Sequence, residues 1–250
     1  MEKWAEGLVK EVYSQWKEYK GKYECWAQGF GVFYSPIVNE DKSVKPILII
    51  GWNPGSSDKE CTEQISKDFK NEFKKYENGD FSLPTEHEYL DYWKDDSYSI
   101  IRGWKSIFKD DENFLKRVFK NSVKTNVIFF RSKREKDDIP EKLIKFSSEK
   151  TKEIIKQLRP SVIIAEGVTT FDKIEKLLKG KDFKRKKTQL CLPIEYKNRR
   201  CRLYCKTTIA TNGQDISLIG IYHPSYANTY ESQRDKLYKF LKEELKQIIK

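Results

Sequence analysis

Two polar residues stand where apolar runs of this chain end, and a third lies inside such a run. ILIIG (47–51) runs into Trp52-Asn53-Pro54-Gly55-Ser56-Ser57, VKTNVIFF (123–130) carries Asn126, and ISLIGIY (216–222) runs into His223-Pro224-Ser225. An Asn amide presents donors and an acceptor in one plane. It can read the edge of a nucleobase or hold a water, but it is no strong general base. A His beside it can donate to a developing oxyanion. Pro54 fixes its own φ and keeps Asn53 out of the α region, while Gly51 and Gly55 permit close backbone approaches. The elbow therefore predicts one amide held in one place. Asn is an ordinary turn residue, but Asn126 sits inside a strand pattern, where Asn is depleted.

The elements that must position these residues alternate. Residues 2–19 carry Trp4, Leu8, Val12 and Trp16 at i, i+4 spacing, which predicts an amphipathic helix. Buried strands are expected at 46–51, 123–130, 161–167 and 216–222, each short and almost continuously apolar. Helical spacing is read at Thr62–Tyr76, in pieces up to Phe119, from Pro140 to about Leu158, at Thr169–Leu178 closed by Gly180, and at the end of the chain. Residues 78–86 read as a loop and 188–210 as a β-hairpin. Without repeats or a long linker, residues 1–250 predict one domain. The fold class expected is α/β, with a central four-stranded parallel sheet covered on both faces. Ligands of such sheets bind outside the carboxyl ends of the strands. That is where Asn53, Asn126, Glu166-Gly167 and His223 would converge.

The ordered set GWNPGSS, TN, RPSVIIAEG and HPS resembles the uracil-DNA glycosylase superfamily over roughly residues 45–245. The G-x-N-P-G form is closest to the mismatch-specific and single-strand-selective branches. The resemblance implies a three-layer α/β/α sandwich and hydrolysis of the N-glycosidic bond of uracil or a related base. Asn53 would hold the attacking water and His223 would stabilise the departing base anion. Asn126 would read the base edge, with Trp52 beside it. The base would be flipped out of the duplex to reach this pocket. Gly55, Ser56 and Ser57 would hold a phosphate, and Ser225, Tyr226 and Asn228 would press on the strand. The family's stacking aromatic falls here in a charged stretch, CTEQISKDFKNEFKK. Phe81 or an aromatic of GFGVFY (29–34) would have to serve instead. Glu166 either lines the pocket or opens the next helix.

Bulk properties agree with a soluble chain and a polyanionic partner. The 250 residues are 38% hydrophobic and 35% charged, with a net charge of +11, which favours DNA by counterion release. Equally, RSKREKDD and KGKDFKRKK can be solvated surface. No run has the length of a membrane span, and the N-terminus does not read as a signal peptide. The five cysteines lack metal-site or scaffold spacing, so free thiols in a reducing cytoplasm and no metal are expected. No Walker loop, G-x-G-x-x-G or magnesium-binding carboxylate cluster is present, so no cofactor is expected. The expected function is a monofunctional, monomeric DNA glycosylase acting on damaged or modified DNA. The alternative is a non-catalytic nucleic-acid-binding protein on the same fold.

Overall fold

The structure, a computed structural model, describes residues 2–19, 29–53, 70–95, 97–109, 111–131, 139–180, 183–186, 190–196, 199–211 and 213–249; the side chains of 70, 195, 196, 199, 200 and 227–231 lie outside that description. Its centre is a mixed seven-stranded sheet. Strands β1 (Ile47–Gly51), β2 (Ser122–Asn126), β3 (Val162–Glu166) and β7 (Asp215–Ile221) pair in parallel in the order β2-β1-β3-β7. The sheet does not stop there. The antiparallel strands β6 (Arg199–Thr211), β4 (Phe183–Arg185) and β5 (Leu190–Tyr196) extend it beyond β7. The expected four-stranded sheet is thus one part of a larger mixed one. A hairpin read in isolation carries no sign of which strand it will pair with.

Both faces are covered. Leu48, Ile50, Val123, Ile163, Ala165 and Leu218 point into one core with α1 (Glu2–Tyr19), α6 (Glu141–Leu158) and α7 (Val168–Leu177). Ile47, Ile49, Val162, Ile164, Ile219 and Ile221 point into the other. There they meet α4 (Ser99–Ile107), α5 (Glu112–Lys120) and α8 (Arg234–Leu245), with the short α3 (Glu88–Asp91) adding Tyr89. Burial on both faces is why these strands read as unbroken apolar runs.

Helix α1 has the expected bounds. Pro140 is the N-cap of α6, one residue before its predicted place. Arg159 ends α6 in the left-handed region at φ 46°. Gly180 does not close α7, which is capped by Leu178. Of the helix read at Thr62–Tyr76, only α2 (Lys70–Glu77) falls among the described residues. Strand β2 stops at Asn126, four residues early. Beyond it, the N–H groups of Val127 and Ile128 donate to the carbonyls of Gly51 and Trp52 at 2.9 and 2.8 Å. The apolar segment VIFF follows the elbow rather than the sheet, and its side chains still fill the first core.

Two of the expected free thiols are paired. Cys191 and Cys205 face each other across β5 and β6 and form a disulfide, with Cα atoms 4.1 Å apart. Directly opposed residues of an antiparallel pair come this close. Spacing along the sequence does not reveal such a pairing. Cys201 is free, and Cys25 and Cys61 lie outside the described residues.

Candidate active site

The carboxyl ends of the parallel strands bring the predicted polar residues to one edge. Gly51 pairs with Asn126, and Glu166 with Ile221. Strand alternation then sets Gly51, Asn126 and Glu166 on the face of the second core, and His223 lies two residues past Ile221. Asn126 is 4% exposed. A Cβ on residue 51 would meet its Oδ1 at 2.2 Å and Glu166 Oε2 at 3.7 Å, so only glycine leaves room for the amide.

Two further glycines shape the His223 end. Gly167, at φ +109°, lies between β3 and α7, where its N–H donates to Ile221 O at 2.9 Å. A Cβ there would stand 3.9 Å from the His223 ring. Gly103 lets α4 touch the backbone after His223, for a Cβ would lie 1.8 Å from Pro224 O. The close approach of Gly103 thus fixes the backbone immediately after His223, and Gly167 packs in ordinary contact with its ring.

The imidazole has a defined hydrogen-bond role. Its Nδ1 lies 2.7 Å from Ser225 Oγ and accepts the backbone N–H of Ser225 at 3.3 Å. A backbone N–H can only donate, so in the neutral ring the proton sits on Nε2. Burial lowers the His223 pKa; Glu166 pulls it up and Lys124 pushes it down, and the net direction is down. The neutral ring with an Nε2–H donor is the favoured form.

Glu166 is the residue around which the site is built, and sequence reasoning left its role open. It is 2% exposed. Its Oε1 accepts from Tyr89 Oη at 2.6 Å and from Trp104 Nε1 at 2.9 Å, tying α3 and α4 to the sheet edge. Its Oε2 faces Lys124 Nζ at 3.5 Å. Burial pushes its carboxyl up, but Lys124, His223 and the two hydrogen bonds outweigh this and bring it below the usual range. Lys124 also faces Glu88 Oε2 at 3.7 Å, and Glu88 Oε1 accepts from Tyr98 Oη at 3.0 Å. Burial raises the Glu88 carboxyl against the pull of Lys124 and the Tyr98 hydrogen bond. Lys124 and Glu88 went unrecognised in the sequence. A Lys in the middle of a strand read as buried was the available signal, because lysine is almost never fully buried unpaired.

The remaining predicted residues divide. Asn53 is half-buried at the same edge, two residues past Gly51. Ser225 is half-buried, and Tyr226 is 58% exposed with its ring 6.0 Å from that of His223. Gly55, Ser56 and Ser57 lie outside the described residues, as does the side chain of Asn228. Trp52 packs against the first core, with Lys173 Nζ 3.5 Å from its ring centroid. Phe81 is half-buried and packs against the first core's aromatic cluster, 5.6 Å from both Tyr13 and Tyr76. Of the aromatics in GFGVFY, Tyr34 stands beside the polar set, its ring 5.2 Å from Lys124 Nζ. Burial pushes its hydroxyl up, and Arg131 and the Asn126 amide pull it down.

Among the described residues, no three His, Cys, Asp or Glu side chains are grouped to hold a metal. No described helix is long and apolar enough to cross a membrane. No protein-family model matches the chain, and no curated protein matches it.

Proposed function

We propose that this protein is a monofunctional DNA glycosylase, on a three-layer α/β/α fold of the uracil-DNA glycosylase type. The observation that carries the reading is the convergence of the GWN elbow, Asn126 and His223 on one strand-end edge, with Gly51 and Gly103 leaving space that only these contacts fill. Asn53 holds the water that attacks the sugar C1′. As an amide takes up no proton readily, bond breaking runs ahead of water attack. The Nε2–H of His223 stabilises the anionic oxygen of the departing base, as an oxyanion hole does. Asn126 reads the base edge, and the exposed Tyr226 presses on the strand from which the base has been flipped. The partner is DNA carrying a damaged or modified base. Neither a metal nor an organic cofactor enters this chemistry.

A base-release assay tests the reading. Single- and double-stranded oligonucleotides carrying uracil, hypoxanthine, xanthine or modified cytosines are incubated with the protein, and abasic sites are cleaved with alkali. Wild type releases at least one base. Asn53→Ala and His223→Ala release none, yet still bind DNA. The packing of Phe81 against Tyr13 and Tyr76 favours the second reading, a non-catalytic nucleic-acid-binding protein. Salt-sensitive DNA binding without release of any base would decide for it.

A further inference from the structure

Beneath Asn126 lies a charged floor that the proposed mechanism does not use. Lys124, two residues earlier on the same face of β2, is 4% exposed. Its distances to Glu166 Oε2 and Glu88 Oε2, 3.5 and 3.7 Å, lie beyond those of well-formed hydrogen bonds. Tyr89 and Trp104 occupy Glu166 Oε1, while its Oε2 accepts from Lys124 only at 3.5 Å. Glu88 is engaged by Tyr98 through Oε1, but its buried Oε2 accepts no hydrogen bond. A donor with spare capacity thus stands beside an acceptor with spare capacity, inside the protein and behind Asn126.

A buried polar group left without a partner is costly. The floor is complementary to a group that offers an acceptor next to a donor. The edge of a six-membered nucleobase does so: uracil presents its C4 carbonyl beside N3–H, and cytosine presents N3 beside its exocyclic amine. Such an edge would give Lys124 a closer acceptor than either carboxylate and give Glu88 Oε2 the hydrogen bond it does not receive. We propose that Lys124 and Glu88 are specificity-determining residues that read the donor–acceptor edge of the extruded pyrimidine alongside Asn126. The assignment rests on the glycosylase reading of the same site.

The test compares rates of release of uracil and of modified cytosines by wild type, Glu88→Gln and Lys124→Met under single-turnover conditions. Glu88→Gln keeps the shape and removes the charge. The expected result is a change of about tenfold or more in the ratio between bases, the scale of one base-edge contact. Folded variants that keep the wild-type ratio, whether or not all rates fall together, would overturn the proposal and leave the floor as a structural ion-pair network. Where Lys124→Met does not fold, Tyr98→Phe removes only the hydrogen bond that aims Glu88, and the ratio is expected to move in the same direction. If wild type releases no base, the glycosylase reading fails separately. The floor is then tested by titrating free uracil and free cytosine against the intrinsic tryptophan fluorescence, since Trp104 adjoins Glu166. Saturable binding weakened at least tenfold by Glu88→Gln supports the assignment; no binding up to the solubility of the bases overturns it.

Discussion

The amide oxygen of Asn126 occupies the volume that a side chain on Gly51 would fill, 2.2 Å from where its Cβ would stand. The two residues are register partners on neighbouring parallel strands. The elbow after β1 and the polar residue that ends β2 are therefore one device. Gly51→Ala is expected to displace the Asn126 amide and lower base release about 100-fold, the penalty typical of a misplaced catalytic group. Destabilisation would stay near 1 kcal/mol, the usual scale of a point substitution. Single-turnover rates and a thermal melt on the same preparation separate the two effects.

Gly103→Ala tests the other end of the site. In an unconstrained helix this change is favourable by up to about 1 kcal/mol. Here the methyl would lie 1.8 Å from a backbone oxygen, Pro224 O, which cannot rotate away as a side chain can. A net loss of about 1–3 kcal/mol is expected from the overpacking, with loss of base release as His223 moves. Urea denaturation checks the sign, and unchanged or raised stability would show that α4 does not clamp this loop.

Tyr89 and Trp104 both donate to Glu166 Oε1. Tyr89→Phe removes one hydrogen bond to a buried carboxylate and is expected to destabilise the protein by about 1.5–3 kcal/mol. The same bonds help hold the Glu166 carboxyl below its usual range, so the loss should be larger at pH 7 than at pH 4. The sign follows from linkage: a depressed carboxyl adds stability above its unfolded pKa, and loses it as pH falls through the folded value.

His87 and His223 both have pKa values lowered first by burial, His87 well below the ordinary range. A base whose folded pKa is depressed must be protonated against its environment on acidification. Stability is therefore expected to be level above about pH 6.5, the ordinary value of a histidine, and to fall as pH drops from there toward the folded values. His87 caps α3 by accepting the Tyr89 N–H at 3.1 Å. Asn is a good cap, so His87→Asn keeps that bond and should flatten the decline between pH 6.5 and 5. Melting temperature against pH for both proteins is the measurement.

The Cys191–Cys205 pairing predicts that denatured, non-reduced protein resists alkylation at these two residues, while Cys201 is labelled. Mass spectrometry of the labelled peptides reads this directly. Labelling of all three would show that the thiols are reduced in the protein as prepared.

The four parallel strands, most of the helices and the convergence of Asn53, Asn126 and His223 on one edge were legible in the chain itself. Continuous apolar runs mark strands buried on both faces, and parallel strands deliver their carboxyl ends to the same side of the sheet. What pairs across the sheet or above it was not legible. The sequence does not show that Phe81 packs with Tyr13 and Tyr76. Cys191 and Cys205 became partners through the register of β5 and β6. Lys124, Glu88 and Glu166 come from three separate segments, and their charges are tolerable in the interior only because the fold sets them against one another. Sequence determines which residues can be buried and with what period. Tertiary structure decides which buried charges meet, because that depends on distances between segments far apart in the chain.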